Sequence, residues 1–370
     1  MINDTQRCLI KKIRKFLDGN LYDRLYSEIT GEVNYTLIPM QTEEVILYRL
    51  SFFSYNINLM YKLLLLGHTV DYLECCKILG NVNINSLINL GLVIRENNSL
   101  YSENSIISYH DRYFIVDLPH FYKCCKKKIP DVYIGIDTYK LSNYIPQHHV
   151  KKTLDLCTGS GIQGIVASNI SDEVFCVEYN KKVAPITEFN ILLNESESNT
   201  KVYIGDLYEP VKGEKFDLII SNPPFIPTPQ NIEYPICGDG GENGLKIIKR
   251  IIEGFDSYLS DGGCAMIIGE CIGNKNQILL LDLLKSLLSP NNYIVNLILH
   301  ARSDVKEESK KLSYLCAQIY ENHNEQYYIE KWYNMFEKLN MCYYYSFTLK
   351  IFKNMGIKSQ FNTIHPVWCK

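Results

Sequence analysis

The sequence lacks the features that mark several large classes of protein. No stretch comes near the roughly 18 consecutive apolar residues that cross a bilayer, and the best candidate, Leu59–Leu66, is interrupted by a lysine. Neither sign of charge predominates: 38 basic and 41 acidic residues give a net charge of −3, which argues against wholesale nucleic-acid binding. The basic, amphipathic amino terminus lacks the apolar core and cleavage site of a secretion signal. We therefore expect a soluble, cytoplasmic protein that contacts no membrane.

The sequence also lacks the spacing of cysteines and histidines that a metal site needs, although cysteine is plentiful. The chain has 13 cysteines, and none of them forms a Cys-x-x-Cys pair. Cys264 and Cys271 have no histidine nearby in the sequence. Zinc sites need closely spaced ligand pairs that converge on one ion. The sequence therefore predicts free, mostly buried thiols and no metal.

Length and pattern divide the 370 residues into two unlike domains, 1–130 and 131–370. The amino-terminal domain is mainly helical. Within it, short helices over Val70–Leu79 and Ile84–Leu90 precede a strand–turn–strand signal over Leu92–Tyr101, an order typical of a winged-helix unit. The second of these helices has no lysine or arginine. We therefore expect the domain to cap a substrate site or to mediate dimerisation rather than to bind DNA, and a homodimer is left open.

From Asp131 onwards, apolar strands alternate with helices. Strands are predicted over 151–157, 173–178, 201–204, 216–221 and 263–269. Such alternation is typical of a parallel, doubly wound α/β sheet, in which ligands bind beyond the carboxyl ends of the strands. A helical insert over 310–339 is predicted next, followed by strands over Cys342–Phe352 and Gln360–Ile364 as an antiparallel edge pair. The basic segment Cys124–Lys128, before the first strand, is expected to be a solvated loop.

A glycine-rich loop, Asp155-Leu156-Cys157-Thr158-Gly159-Ser160-Gly161, follows the first strand. Its glycines let the backbone turn sharply from strand to helix and approach a ligand closely. Glu178, at the end of the second strand, supplies a carboxylate that can accept both hydroxyls of a ribose. Gly159, Gly161 and Gly164 also match the Gly-x-Gly-x-x-Gly spacing of dinucleotide sites. On this loop alone, a nicotinamide cofactor stays an open alternative.

The segment Asn222-Pro223-Pro224-Phe225, which follows the fourth strand, is more informative. Its two prolines fix a rigid, extended loop without amide donors. The Asn222 side chain and the loop carbonyls are then the available polar groups, and they suit a planar nitrogen that carries two hydrogens. Phe225 offers an aromatic face for stacking. Such a loop would hold an amide or amine nitrogen with its lone pair towards an electrophilic methyl group.

Three segments resemble those of the class I methyltransferases that use S-adenosylmethionine: Asp155–Gly161, Asn222–Phe225 and Gly240–Leu245. Within that superfamily they are most similar to the branch with an Asn-Pro-Pro-aromatic motif, and above all to the glutamine methyltransferases that modify peptide release factors. The resemblance spans about residues 131–300. It implies a Rossmann-like, seven-stranded methyltransferase domain with S-adenosylmethionine as its cofactor.

The resemblance also implies a role for each matched residue. Asn222, Pro223 and Phe225 are expected to position the acceptor nitrogen as the catalytic residues, with Asn222 also contacting the cofactor. The other cofactor contacts are expected at the carboxyl ends of the first three strands: Asp155, Thr158, Gly159, Gly161, Glu178, Tyr179, Asp206 and Leu207. Asp155 and the glycine-rich loop would hold the methionine part, and Glu178 the ribose hydroxyls. Tyr179 would lie beside the adenine, and Asp206 with Leu207 would contact the adenine amino group. Tyr133 and Asp137, in a segment placed just before the first strand, are further candidates for cofactor contact.

The acceptor is less sharply defined than the cofactor. The insert and the additional amino-terminal domain depart from the release-factor enzymes and favour an enclosed pocket. We therefore expect methyl transfer to an amide, guanidine or amine nitrogen of a small-molecule or peptide-like acceptor, in specialised metabolite biosynthesis. One alternative is a protein glutamine methyltransferase acting on a release-factor-like protein. A nucleic-acid amino-group methyltransferase is a second alternative, which the balanced charge disfavours.

Overall fold

The computed structural model describes residues 2–31, 42–119, 122–125, 129–289, 292–320, 323–356 and 360–365. Part of the basic segment Cys124–Lys128 lies outside these residues. The chain divides into two compact units. The first consists of residues 1–139, 159–165 and 180–202, and the second consists of residues 140–158, 166–179 and 203–370. The first unit therefore extends past the domain boundary predicted at residue 130.

The helices and strands are numbered in chain order. The helices are α1 Asp4–Gly19, α2 Tyr22–Thr30, α3 Glu43–Leu50, α4 Tyr55–Leu64, α5 Tyr72–Cys75, α6 Asn81–Asn89, α7 Ile136–Tyr144, α8 Ile162–Ala167, α9 Ala184–Leu193, α10 Lys246–Glu253, α11 Phe255–Tyr258, α12 Leu279–Leu287, α13 Val305–Ile319 and α14 Glu325–Lys338. The strands are β1 Val70–Asp71, β2 Ile94–Glu96, β3 Ser99–Tyr101, β4 Asn104–Tyr109, β5 Arg112–Asp117, β6 Val150–Leu156, β7 Ser171–Glu178, β8 Thr200–Ile204, β9 Phe216–Ser221, β10 Leu259–Gly273, β11 Tyr293–Asp304, β12 Tyr343–Lys353 and β13 Phe361–Ile364. A π-helical turn, Cys76–Gly80, joins α5 to α6.

In the first unit, α5, α6 and the hairpin β2–β3 follow one another in the order of a winged-helix unit, as predicted. One part of that prediction is wrong, because Val70 and Asp71 form strand β1 rather than the start of a helix. Val70 is β-branched and pairs with Leu100 of β3. Asp71 caps α5, since its carboxylate accepts a hydrogen bond from the Glu74 amide at 2.8 Å. The resulting small sheet has the order β1-β3-β2.

The hairpin β4–β5 was not predicted. Its strands pair from Asn104 with Asp117 to Tyr109 with Arg112, around the two-residue turn His110-Asp111. Both turn residues have positive φ, 49° and 59°. Turns of this kind normally carry Asn-Gly or Asp-Gly, so the pair His-Asp gives no turn signal.

Asn190 of α9 and Asn194, which directly follows α9, take the place of a neighbouring strand along β5. Asn194 bonds to the N–H and the C=O of Tyr113, at 2.9 and 2.7 Å. Asn190 bonds in the same way to Ile115, at 2.8 and 3.1 Å. These bonds satisfy backbone groups that would otherwise be left at the edge of a two-stranded sheet.

The second unit is built on a sheet with the strand order β13-β11-β12-β10-β9-β6-β7-β8. Strands β6, β7, β9 and β10 run parallel to one another, and β12 lies antiparallel between β10 and β11. Both faces of the central strands are covered, which explains their nearly continuous apolar sequences. Along β9, for example, Ile219 enters one apolar cluster, whereas Leu218 and Ile220 enter the cluster on the opposite face.

The carboxyl-terminal strands differ from the prediction in their pairing. Seven strands form the expected sheet, and β13 adds an eighth, parallel to β11. Strands β12 and β13 are therefore not an antiparallel edge pair, because β12 pairs with β10 and β11 instead. Strand β11 was not predicted, although its buried and half-buried residues alternate as in an ordinary strand.

The insert predicted over 310–339 is the helix pair α13 and α14. It begins earlier than predicted, at Val305, because the Asp304 carboxylate caps α13 by accepting a hydrogen bond from the Lys306 amide at 2.8 Å.

No helix in the described part of the chain is long and apolar enough to span a bilayer. Among the same residues, no group of three histidine, cysteine or acidic side chains is arranged to hold a metal ion. The described cysteines are free thiols, of which Cys8 is exposed.

Candidate active site

The carboxyl ends of neighbouring strands bring three of the predicted side chains to one face of the large sheet. Asp155 of β6 pairs with Cys176 of β7 and with Ile220 of β9. Because alternate residues of a strand share a face, Glu178 and Asn222 lie on the face of Asp155. The second unit alone therefore places these three groups at one edge of its sheet.

The glycine-rich loop turns from β6 towards α8 through residues of positive φ: Cys157 (59°), Gly159 (54°) and Gly161 (83°). A Cβ added at Gly161 would lie 2.9 Å from the Thr187 side chain, so close packing requires glycine there. At Gly159 an added Cβ would meet no described atom within 4 Å. The left-handed conformation, rather than close packing against a described atom, is therefore the reason for glycine at that position.

Two residues of α9, which were not predicted as functional, hold this loop within the first unit. The Thr187 hydroxyl donates a hydrogen bond to the Gly159 carbonyl at 2.7 Å, and the Asn190 amide donates to the Ser160 carbonyl at 2.9 Å. Both side chains are fully buried. A polar residue inside an apolar helix needs a partner, and this signal in α9 could have identified them.

The structure brings Asp155 and Thr158 together. Asp155 is buried, and the Thr158 hydroxyl donates a hydrogen bond to its carboxylate at 2.5 Å. Burial raises the pKa of the Cys157 thiol above its usual range, and the charges of Glu178 and Asp155 raise that pKa further. The thiol is therefore uncharged at neutral pH, and both carboxylates lie within electrostatic reach of it.

Glu178 and Tyr179 form the end of β7. Glu178 is buried, and its carbonyl accepts a hydrogen bond from the Gly205 amide at 3.0 Å. This bond fixes the end of β7 beside the residues that follow β8. Tyr179 is 60 % exposed, so its ring is accessible to a ligand.

Asp206 and Leu207, the predicted adenine contacts, follow β8. The Asp206 carboxylate accepts a hydrogen bond from Arg250 of α10 at 2.9 Å. Leu207 is buried in the apolar cluster of the second unit despite its positive φ of 50°. Leu207 therefore contributes to the core, and a contact of either residue with adenine stays a prediction.

Tyr133 and Asp137 lie in the first unit. The expectation that their segment leads directly into the first strand is wrong, because helix α7 begins within that segment, at Ile136, and continues to Tyr144 before β6 starts. Their side chains flank Gly135: a Cβ added there would lie 2.6 Å from the Asp137 carboxylate and 3.4 Å from the Tyr133 ring. The structure therefore brings the two side chains together, and their contact with a cofactor stays a prediction.

The acceptor loop, Asn222–Phe225, packs against the glycine brace, Gly240–Leu245. Beside the loop, the Gly240 amide donates a hydrogen bond to the Ile226 carbonyl at 2.9 Å. A Cβ added at Gly240 would lie 2.7 Å from the Phe225 carbonyl carbon, and one at Gly244 would lie 2.5 Å from the Phe225 carbonyl oxygen. Only glycine allows the two backbones to touch, which explains why the two motifs occur together.

Trp332 of α14, a further residue that was not predicted, supports the end of the acceptor loop. Its indole N–H donates a hydrogen bond to the Pro227 carbonyl at 2.8 Å, and the side chain is fully buried. An exposed ion pair between Lys338 and Glu242, at 3.3 Å, also joins α14 to the glycine brace. The insert is therefore anchored next to the acceptor loop and the glycine brace. The two bonded residues are 105 positions apart, so no local sequence pattern reveals the contact.

These residues fit S-adenosylmethionine better than a dinucleotide. The Asp155 carboxylate suits a cationic amino group, and Glu178 suits ribose hydroxyls. The negative charge of Asp155 would repel a pyrophosphate bound beside the same loop.

Comparisons with known proteins agree with this assignment. Residues 134–288 match the model of the family described as methyltransferase small domain. The chain is 32 % identical to a ribosomal protein uL3 glutamine methyltransferase of Francisella tularensis, with 35 % of this chain and 44 % of that protein covered. It is 33 % identical to a release factor glutamine methyltransferase of Clostridium acetobutylicum, with 36 % and 51 % covered. A putative protein N5-glutamine methyltransferase of Methanocaldococcus jannaschii is 31 % identical, with 35 % and 66 % covered.

Over the matched residues, the chain therefore resembles methyltransferases, in agreement with S-adenosylmethionine as the cofactor. The match to the methyltransferase small domain covers less than half of the 370 residues. The chain spans about half the length of the curated relatives that it matches.

The first test concerns Asp155 and Glu178, the two carboxylates assigned to cofactor binding. We expect Asp155→Ala and Glu178→Ala each to weaken binding of S-adenosylhomocysteine roughly ten- to a hundredfold, because a hydrogen bond to a charged group contributes about 1.5–3 kcal/mol. Isothermal titration calorimetry measures the change. Glu173→Ala, an exposed acidic residue at the other end of β7, is the matched control and should bind like the parent. Parent-like binding by both site variants would mean that the cofactor lies elsewhere.

The choice of cofactor gives a second test. S-adenosylhomocysteine at about 100 times its dissociation constant should stabilise the fold by about 2.7 kcal/mol, because it binds only the folded state. Differential scanning fluorimetry should show a higher Tm with this ligand and no change with NAD. A shift with NAD alone would restore the dinucleotide alternative.

Proposed function

We propose that the protein transfers a methyl group from S-adenosylmethionine to the side-chain amide nitrogen of a glutamine in a protein. The observation that carries the proposal is the acceptor loop: it contains backbone carbonyls and the Asn222 side chain but no N–H at its two prolines, and it packs against the glycine brace. The names of the relatives support glutamine as the acceptor. They favour this alternative over the small-molecule acceptor expected from the sequence.

The chain's own residues would act mainly by orientation. The Asn222 side chain and the Pro223 carbonyl accept hydrogen bonds from the two N–H groups of the amide, so the nitrogen lone pair points out of the loop. The bound cofactor supplies a methyl group activated by a sulfonium centre. As the N–C bond formed, the S–C bond of the cofactor would break to leave S-adenosylhomocysteine, and one N–H proton would pass to water. Asn222 and Pro223 would keep the nitrogen oriented during this step through the hydrogen bonds that they accept. Holding nitrogen and methyl group in line accounts for much of the rate enhancement.

The half-buried Phe225 ring packs over Gly269, since a Cβ added at Gly269 would lie 3.2 Å from it. The ring is thereby fixed, and we propose that its other face stacks on the planar amide.

A direct test offers the protein acceptors of different classes. A peptide with a central glutamine should accept labelled methyl from S-adenosylmethionine. The same peptide with glutamate, which has nearly the same shape but no nitrogen, should not. Free amines, free guanidines and duplex DNA are the comparison acceptors, and labelling of these alone would overturn a glutamine acceptor and favour the small-molecule or nucleic-acid alternative.

A further inference from the structure

Glu270 extends the row of polar side chains on the active-site face of the sheet. Ser221 of β9 pairs in parallel with Ile267 of β10. Residues 266 and 268 of β10 enter the same apolar cluster as Leu218 and Ile220, so Glu270 lies on the face of Asn222. Strand spacing and rise place their Cα atoms about 8 Å apart.

The strand order shows where Glu270 lies relative to the other polar side chains of this face. Across the sheet, Glu178 of β7 and Asp155 of β6 come first, then Asn222 after β9, and then Glu270 of β10. Asn222 therefore lies between the residues assigned to the cofactor and Glu270. An acceptor whose nitrogen is bound at Asn222 would extend its remaining groups over β10.

Two residues of β12 that carry hydroxyl groups lie on the same face of the sheet as Glu270. Ser346 pairs with Glu270 and is half-buried, and Tyr344 pairs with Ile272, so all of these side chains share one face. Tyr344 is only 3 % exposed, and its hydroxyl has no partner in hydrogen-bonding geometry among the described residues. Burial raises the pKa of Tyr344 well above its usual range, and the charge of Glu270 raises that pKa further. The buried hydroxyl is thus a proton donor close to the Glu270 carboxylate.

We propose that Glu270, backed by Tyr344 and flanked by Ser346, binds a cationic or hydrogen-bond-donating group of the acceptor next to the methylated nitrogen. This subsite rests on the proposed function and narrows it to glutamines with basic neighbours. A carboxylate here repels phosphate, so the subsite suits a polypeptide rather than a nucleic acid. Lys311 of α13 lies within electrostatic reach of Glu270, and its ammonium group bonds to Glu308 at 2.7 Å.

The test uses three peptides that are identical except at the residues on either side of a central glutamine, which are arginine, norleucine or glutamate. We expect the parent to methylate the arginine-flanked peptide with a kcat/KM roughly tenfold or more above that of the norleucine peptide, because a charge-assisted hydrogen bond is gained. The glutamate peptide should be the poorest acceptor. Glu270→Gln should remove the preference, chiefly through KM, and Glu270→Lys should reverse it.

Glu253→Gln, an exposed carboxylate at the end of α10, is the matched control and should keep the parent preference. Binding of S-adenosylhomocysteine by each variant confirms that it is folded. Equal methylation of the three peptides by the parent, or an unchanged preference in a folded Glu270→Lys variant, would overturn the subsite and leave the proposed function standing. No methylation of any peptide by the parent would overturn the glutamine acceptor and the subsite together.

Discussion

Asn222→Ala should lower the rate of methyl transfer by a factor on the order of a hundred or more, while binding of S-adenosylhomocysteine stays within a fewfold of the parent. The reason is that the Asn222 oxygen orients the acceptor nitrogen, and loss of one well-placed polar group at a reacting centre typically costs about 2.7–4 kcal/mol. Single-turnover transfer to the glutamine peptide at saturating cofactor measures the step directly.

Two further variants test whether the loss of rate in Asn222→Ala comes from the missing side-chain oxygen. Asn222→Asp should retain part of the activity, because a carboxylate also accepts hydrogen bonds. Gln230→Ala removes an exposed side-chain amide shortly after the loop and should leave the rate unchanged. Parent-like turnover by Asn222→Ala would make the acceptor loop a structural turn only.

The second large effect is expected at the glycine brace. Gly244→Ala should slow methyl transfer by a factor on the order of a hundred, because the added Cβ would lie 2.5 Å from the Phe225 carbonyl oxygen and must displace the acceptor loop, and misplacement by about 1 Å can cost that much. The residue also has a φ of +75°, so alanine there should lower the free energy of unfolding by about 1–2 kcal/mol.

Gly262→Ala separates these two causes. Gly262 has a φ of +79°, but a Cβ added there would meet no described atom within 4 Å. The control should therefore lose a similar free energy of unfolding and keep the parent rate of transfer. Equal rates in the two variants, measured by the same single-turnover assay, would show that the brace does not position the loop.

The positions of the main motifs could be predicted because each follows an apolar strand of a parallel sheet. Asp155, Glu178 and Asn222 were assigned to strand ends in this way, and the register places them on one face. The hairpin β4–β5 could not be predicted, since His110-Asp111 adopts a turn that its residue types do not favour. The place of β12 inside the sheet is a long-range pairing that local periodicity does not encode.

The other features of the site that could not be predicted depend on contacts between segments far apart in the sequence. The glycines of Gly240–Leu245 were recognised as a motif, but their contact with the Phe225 backbone becomes visible only in the structure. The insert was expected to enclose a small acceptor. Trp332 instead bonds to Pro227 at the end of the acceptor loop, so the insert has a supporting role that is compatible with a protein acceptor.

The position of the transferred methyl group tests the central claim most directly. The protein should be incubated with the arginine-flanked glutamine peptide and S-adenosylmethionine that carries a deuterated methyl group, and the product should be sequenced by tandem mass spectrometry. We predict one labelled methyl group on the side-chain nitrogen of the glutamine, and a greatly reduced yield with Asn222→Ala. A label on any other atom of the peptide, or equal labelling by Asn222→Ala, would contradict the account.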